Sequence, residues 1–104
     1  MPHRTGPDTV PDDVLEAITA LGSRARSLII HHIALHGISS GDELAAAIGS
    51  TSAHTHTKLL ERTGVLVRSA RPGGIPRASY WQIDQPRLTQ LKTTWAAFLD
   101  GAEA

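Results

Sequence analysis

Ser40-Gly41-Asp42-Glu43-Leu44-Ala45-Ala46-Ala47-Ile48-Gly49-Ser50-Thr51-Ser52-Ala53-His54-Thr55-His56-Thr57-Lys58-Leu59-Leu60-Glu61-Arg62-Thr63-Gly64 is the stretch on which the fold turns. Ser40 followed three residues later by Glu43 has capping-box spacing, which marks a helix start. The helix it opens runs through Leu44 to Ile48, and its alanines let a neighbouring helix approach closely. Gly49 stops it. After a three-residue polar turn a second helix is expected from about Ser52 to Thr63, stopped by Gly64. Two short helices joined by a glycine-containing turn make a helix-turn-helix pattern.

Downstream, the periodicity changes. Val65-Leu66-Val67 is a short β-type run, Arg71-Pro72-Gly73-Gly74-Ile75-Pro76-Arg77 is a turn, and Ala78 to Ile83 is a second β-type run. Together they predict a hairpin, in the position of a wing. Asp84 or Gln85 then caps a last helix with Pro86 in its first turn. Its apolar residues Leu88, Leu91, Trp95 and Phe98 are spaced 3, 4, 3 along one narrow seam. Upstream, residues 1–10 are rich in Pro, Gly and polar groups and read as a flexible arm. A helix is expected from Pro11, with Asp12, Asp13 and Glu16 complementing its positive end. Val14, Leu15, Ile18 and Leu21 fall on one stripe. Ser23 caps a second helix, Arg24 to about His36, which Leu28, Ile29, Ile30 and Ile33 make strongly apolar and so central to the core. Gly37 is expected to end it in the left-handed conformation. The fold expected over residues 11–100 is mainly α with a small β-hairpin (α+β). It is a winged helix-turn-helix with five helices and a two-stranded wing.

Composition sets the bounds. The chain has 104 residues, room for one domain, and 40% of them are hydrophobic, enough for a modest core. It has no cysteine, which removes disulfides, thiolate metal sites and a cysteine nucleophile. Met1 to Asp8 lacks the apolar stretch of a signal peptide, and no apolar run reaches membrane-spanning length, so a cytoplasmic protein with no membrane partner is expected. Formal net charge is zero, but it is segregated. From Ser50 to Ala78 there are five basic residues (Lys58, Arg62, Arg68, Arg71, Arg77) and one acidic residue, Glu61, leaving five basic and nine acidic residues elsewhere. A segregated surface of this kind can meet phosphates with its acidic part turned away.

Several fragments carry a family resemblance. Ala20-Leu21-Gly22, Arg26, Ile29-Ile30 and Ile33 resemble the opening of ArsR-type winged helix regulators. Ser40 to Ala45 with Ile48-Gly49 is similar to that family's first helix-turn-helix helix. Leu60 to Val67 resembles the end of its recognition helix and first wing strand, and Tyr80-Trp81-Gln82-Ile83-Asp84 its second wing strand. The resemblance spans Val14 to Leu99. It implies a dimeric, DNA-binding transcriptional regulator, a repressor by analogy, whose first and last helices form the dimer interface. One departure stands out. Metal-sensing members use cysteines near the recognition helix, or carboxylates and histidines on the last helix. This chain has no cysteine and its last helix has no histidine.

In the proposed recognition helix Ala53 and Leu60 face inward, with Thr57 or Leu59 nearby. Ser52, His54, Thr55, His56, Lys58 and Arg62 are then the candidates to face double-stranded DNA, by hydrogen bonds to bases or phosphates and by charge. Arg71 and Arg77 flank the wing tip, where they either reach phosphates or the minor groove or merely solubilise a turn. Val14, Leu15, Ile18, Leu88, Leu91, Trp95 and Phe98 are either core of one protomer or the interface of a homodimer. His32 and His36 share a helix face, but no carboxylate accompanies them in sequence, so no metal and no cofactor is expected. No nucleophile–base pair or phosphate-cradling loop suggests an enzyme. Two other functions compete with a sequence-specific regulator: a winged helix that binds a protein partner, and an architectural DNA-binding protein of low selectivity.

Overall fold

The computed structural model describes residues 9–102; most of the expected arm, residues 1–8, lies outside them. The elements run α1 (Asp12–Leu21), α2 (Arg24–His36), β1 (Ser39–Ser40), α3 (Gly41–Ile48), α4 (Ala53–Arg62), β2 (Leu66–Arg68), β3 (Tyr80–Ile83) and α5 (Gln85–Leu99). This is the expected winged helix-turn-helix, with five helices and one correction: the wing sheet has three strands, in the order β1-β3-β2. β3 is central and antiparallel to both neighbours. Ser39 and Ser40 pair with Trp81 and Tyr80, and Leu66, Val67 and Arg68 pair with Ile83, Gln82 and Trp81. Thus the two residues leading into α3 are also the edge of the wing.

Local chemistry fixes the helix starts. Ser23 Oγ accepts from the Arg26 N–H (3.3 Å) and Asp84 Oδ1 from the Arg87 N–H (3.0 Å). At α3 the capping box is complete, with Glu43 N–H donating to Ser40 Oγ (3.2 Å) and Ser40 N–H donating to Glu43 Oε1 (2.8 Å). Gly49 ends α3 in the left-handed conformation, φ 67° and ψ 32°. Gly37 differs from expectation. Its φ is 82° but its ψ is −156°, an extended turn away from the helix that a side chain would resist and that feeds the chain straight into β1.

Ile29, Leu44, Leu60, Val65 and Leu66 are fully buried together, joining α2, α3, α4 and the start of the wing. Burial of each large aliphatic side chain contributes about 2 kcal/mol. α5 returns to the start of the chain and packs closely on α1. Leu88 and Leu91 are buried there, as are Val14, Ala17 and Ala20 of α1. Arg87 ties this pair to the end of α4. Its Nε donates to the Thr63 carbonyl (2.8 Å), its Nη2 to Glu16 of α1 (2.7 Å) and its Nη1 to Gln90 (2.7 Å). Among the described residues no helix is long and apolar enough to cross a membrane.

Candidate nucleic-acid interface

α4 divides cleanly by burial. Ala53, Thr57 and Leu60 are buried, which places Thr57, rather than Leu59, on the inward face. Thr57 Oγ1 satisfies itself by donating to the His54 carbonyl (2.9 Å). At about 100° per residue the opposite arc of the helix carries His54, Thr55, Lys58 and Arg62, all exposed. Ser52 is exposed at the start of the helix, where its hydroxyl pairs with that of Ser50 (2.8 Å) instead of capping α4. Glu61, the one carboxylate of α4, accepts from Arg68 Nε of β2 (2.8 Å). The exposed arc is therefore cationic and hydrogen-bonding, with its neighbouring negative charge already paired.

His56 does not join that arc. It is half-buried on the flank facing α2, where Arg26 Nη1 lies 3.0 Å from His56 Nδ1. A guanidinium has only donors, so Nδ1 accepts and the ring proton sits on Nε2. Arg26 is a residue that sequence reasoning left out of the site. The contact spans thirty positions, and no local pattern announces it.

The wing has an internal scaffold of its own. Gly74 N–H donates to the Arg71 carbonyl (2.8 Å), closing a turn with Pro72 and Gly73 in its centre; Gly73 has φ 75°, as a type II turn requires. Tyr80 is buried under this turn, and its hydroxyl accepts from the Ile75 N–H (2.8 Å). A Cβ on Gly74 would lie 2.8 Å from the tyrosine oxygen, so only glycine lets the ring approach.

The two wing-tip arginines part company. Arg71 folds back over the Tyr80 ring, 4.5 Å from its centre. There its Nη1 donates to Glu43 (2.7 Å) and to the Ile38 carbonyl (3.2 Å). The Arg71 hydrogen bond, with a smaller contribution from the Ser40 N–H, holds the Glu43 carboxyl below its usual range, and Glu43 in turn raises the Arg71 guanidinium. Arg71 thus serves first as a tether between wing and α3. Arg77 is exposed and makes no hydrogen bond or ion pair with the described residues.

The seven candidate interface residues also separate. Val14, Leu88 and Leu91 are buried within the protomer. Leu15 is 51% exposed, and Ile18, Trp95 and Phe98 are half-buried. Leu99, 70% exposed at the end of α5, joins them. The His32 and His36 rings lie 4.5 Å apart, centre to centre, and are tilted by 41°, and among the described residues no group of three potential ligands gathers to hold a metal.

No protein-family model and no curated protein matches the chain. Solved structures do. The crystal structure of an ArsR family transcriptional regulator superposes with a TM-score of 0.66 at 19% identity, covering 88% of this chain and 91% of that one. The homodimeric winged helix-turn-helix DNA-binding domain of a possible ArsR-family regulator from Mycobacterium bovis gives 0.63 at 19% identity, over 88% of this chain and 83% of that one. The transcriptional repressor BigR from Xylella fastidiosa gives 0.55 at 14% identity, over 84% and 88%. At these identities the likeness is one of fold, and the chain has the winged helix-turn-helix fold of these structures over nearly its whole length.

Proposed function

We propose that this protein is a sequence-specific, double-stranded-DNA-binding transcriptional regulator, acting as a homodimer and as a repressor. The observation that carries the reading is the exposed arc of α4. His54, Thr55, Lys58 and Arg62 stand clear of the core, unpaired with any described carboxylate, on a helix of the size that enters a major groove. Ser52 extends that face at its N-terminal end, and Arg77 at the wing tip supplies a phosphate or minor-groove contact. His56 and Arg71 act one step back, holding α4 and the wing in place. The second copy meets Leu15, Ile18, Trp95, Phe98 and Leu99, and the homodimeric state of the mycobacterial domain supports a dimer.

Selection of bound sequences from a random duplex pool at physiological salt tests the proposal. A palindromic motif is expected, with half-sites about one helical turn apart. Lys58→Ala and Arg62→Ala should each lower the slope of log affinity against log salt by about one. A pool that yields no enriched sequence, with slopes unmoved by these substitutions, would refute it.

A further inference from the structure

The wing tip consists of two successive turns, each with a proline at its second position. The first, Arg71 to Gly74, lies over Tyr80. The second, Ile75 to Ala78, is closed by the Ala78 N–H donating to the Ile75 carbonyl (3.0 Å). The Ile75 N–H is held as well, by the hydroxyl of the buried Tyr80 (2.8 Å). Both backbone polar groups of Ile75 are therefore tied down, and Pro76 stiffens the residue that follows. The Ile75 side chain, by contrast, is 69% exposed. Pro76 and Arg77 beside it are exposed too. The tip is an apolar pair on a fixed mount with a cation next to it.

Charge narrows what such a tip can meet. Residues 69–79 contain Arg71 and Arg77 and no carboxylate. Arg71 is spent on Glu43, while Arg77 is left for a partner. A narrow minor groove is strongly negative, and its base-pair steps accept isoleucine or proline as a wedge. An apolar side chain gains by leaving water only where it meets apolar surface, and inside a duplex that surface is the face of a base. We propose that Ile75, backed by Pro76, enters the minor groove beside each half-site and wedges one base-pair step open, so that the protein kinks the duplex it binds. The inference rests on the DNA-binding reading above and adds to it a residue and a deformation. Arg77 grips the groove while Ile75 unstacks it. Pyrimidine–purine steps open most easily, so TA or CA/TG belongs where the wing lands.

Duplexes enriched from the random pool test this with the full chain. They carry a donor and an acceptor dye at their ends and 2-aminopurine, which brightens when unstacked, at the steps flanking each half-site. The unsubstituted protein should shorten the dye separation by the equivalent of a kink of about 20° or more per half-site, and brighten one step in each. Ile75→Ser should abolish the brightening and most of the kink. Its affinity should fall by less than about tenfold, because the lost contact is offset by the unstacking no longer required. Ile75→Phe should keep both signals. Neither substitution should move the melting temperature, since the side chain is exposed in the free protein. An enriched duplex that stays straight, or signals that survive Ile75→Ser, overturns the wedge and leaves the regulator reading standing. A pool with no enriched sequence overturns that reading and the wedge with it. Loss of the dimer in sedimentation equilibrium on Ile75→Ser, or loss of binding to phosphatidylglycerol vesicles, with the duplex signals unmoved, also overturns the wedge; the tip would then belong to a second copy or to a membrane.

Discussion

Replacing Arg87 by methionine should loosen the joint between the terminal helix pair and the recognition helix. Methionine keeps much of the stem, which packs against Gly64 closely enough that a Cβ there would lie 3.3 Å from the arginine Cγ. What is lost is the guanidinium. Its bond to the carbonyl of Thr63, a residue only 8% exposed, is the larger part. A charged donor on a poorly solvated carbonyl contributes about 1.5 kcal/mol, since that oxygen would otherwise lose its partner without gaining water. The ion pair with Glu16 is partly exposed and contributes about 0.5 kcal/mol. The solvent-exposed bond to Gln90 adds little. The expected total is about 2 kcal/mol, or a melting temperature lower by roughly 8 °C in a domain of this size. Urea unfolding should show the midpoint moving with an unchanged slope. A double-mutant cycle with Glu16→Gln should return a coupling of about 0.5 kcal/mol. A loss under about 0.5 kcal/mol would mean that water replaces the Arg87 bonds, and the assignment of Arg87 as the joint would be wrong.

Ser40→Ala removes an N-cap and should lower unfolding free energy by about 1 kcal/mol, with Ser40→Asn restoring most of it in denaturant titrations. The Glu43–Arg71 tether is sensitive to acid. Because the folded carboxyl lies below its ordinary value of 4.5, its contribution is complete above that pH and is lost as pH falls through the lowered value. Thermal melts of the unsubstituted protein and Glu43→Gln should therefore differ by a constant amount near neutrality and converge below about pH 4.5; parallel curves down to pH 3 would contradict the tether. Long-range nitrogen–proton correlations should find His56 with its proton on Nε2, and Arg26→Met should give a tautomer mixture. A His56 that is Nδ1-protonated in the unsubstituted protein would rule out the Arg26 bond.

Much of this architecture can be read from single residues. Ser23, Ser40 and Asp84 each cap a helix by a local hydrogen bond three residues long, so pattern and structure coincide. β1 was not legible. Two serines have no alternation to read, and their strand character comes from Tyr80 and Trp81, forty positions away. The same limit governs the site. Exposure of His54, Thr55, Lys58 and Arg62 follows from the burial of Ala53 and Leu60 by helical geometry alone. The fate of His56 depends on Arg26, and that of Arg71 on Glu43 and Tyr80. Both are non-local partners that composition cannot rank. At the termini the apolar stripes were visible, but not which of their residues α1 and α5 bury against each other.

The wing is anchored twice over: Ser39 and Ser40 pair with its central strand, and Arg71 grips the first turn of α3. A hairpin held this way behaves as the fixed jaw of a calliper, with α4 as the other. In the proposed complex the span between Arg77 and Lys58 would be set by the protein, and the duplex would have to conform to it. Sequences with a costly groove adjustment would then be rejected at base pairs that no side chain touches. Loosening the jaw, by removing the Arg71 grip, should broaden the range of accepted sites more than it weakens the best one.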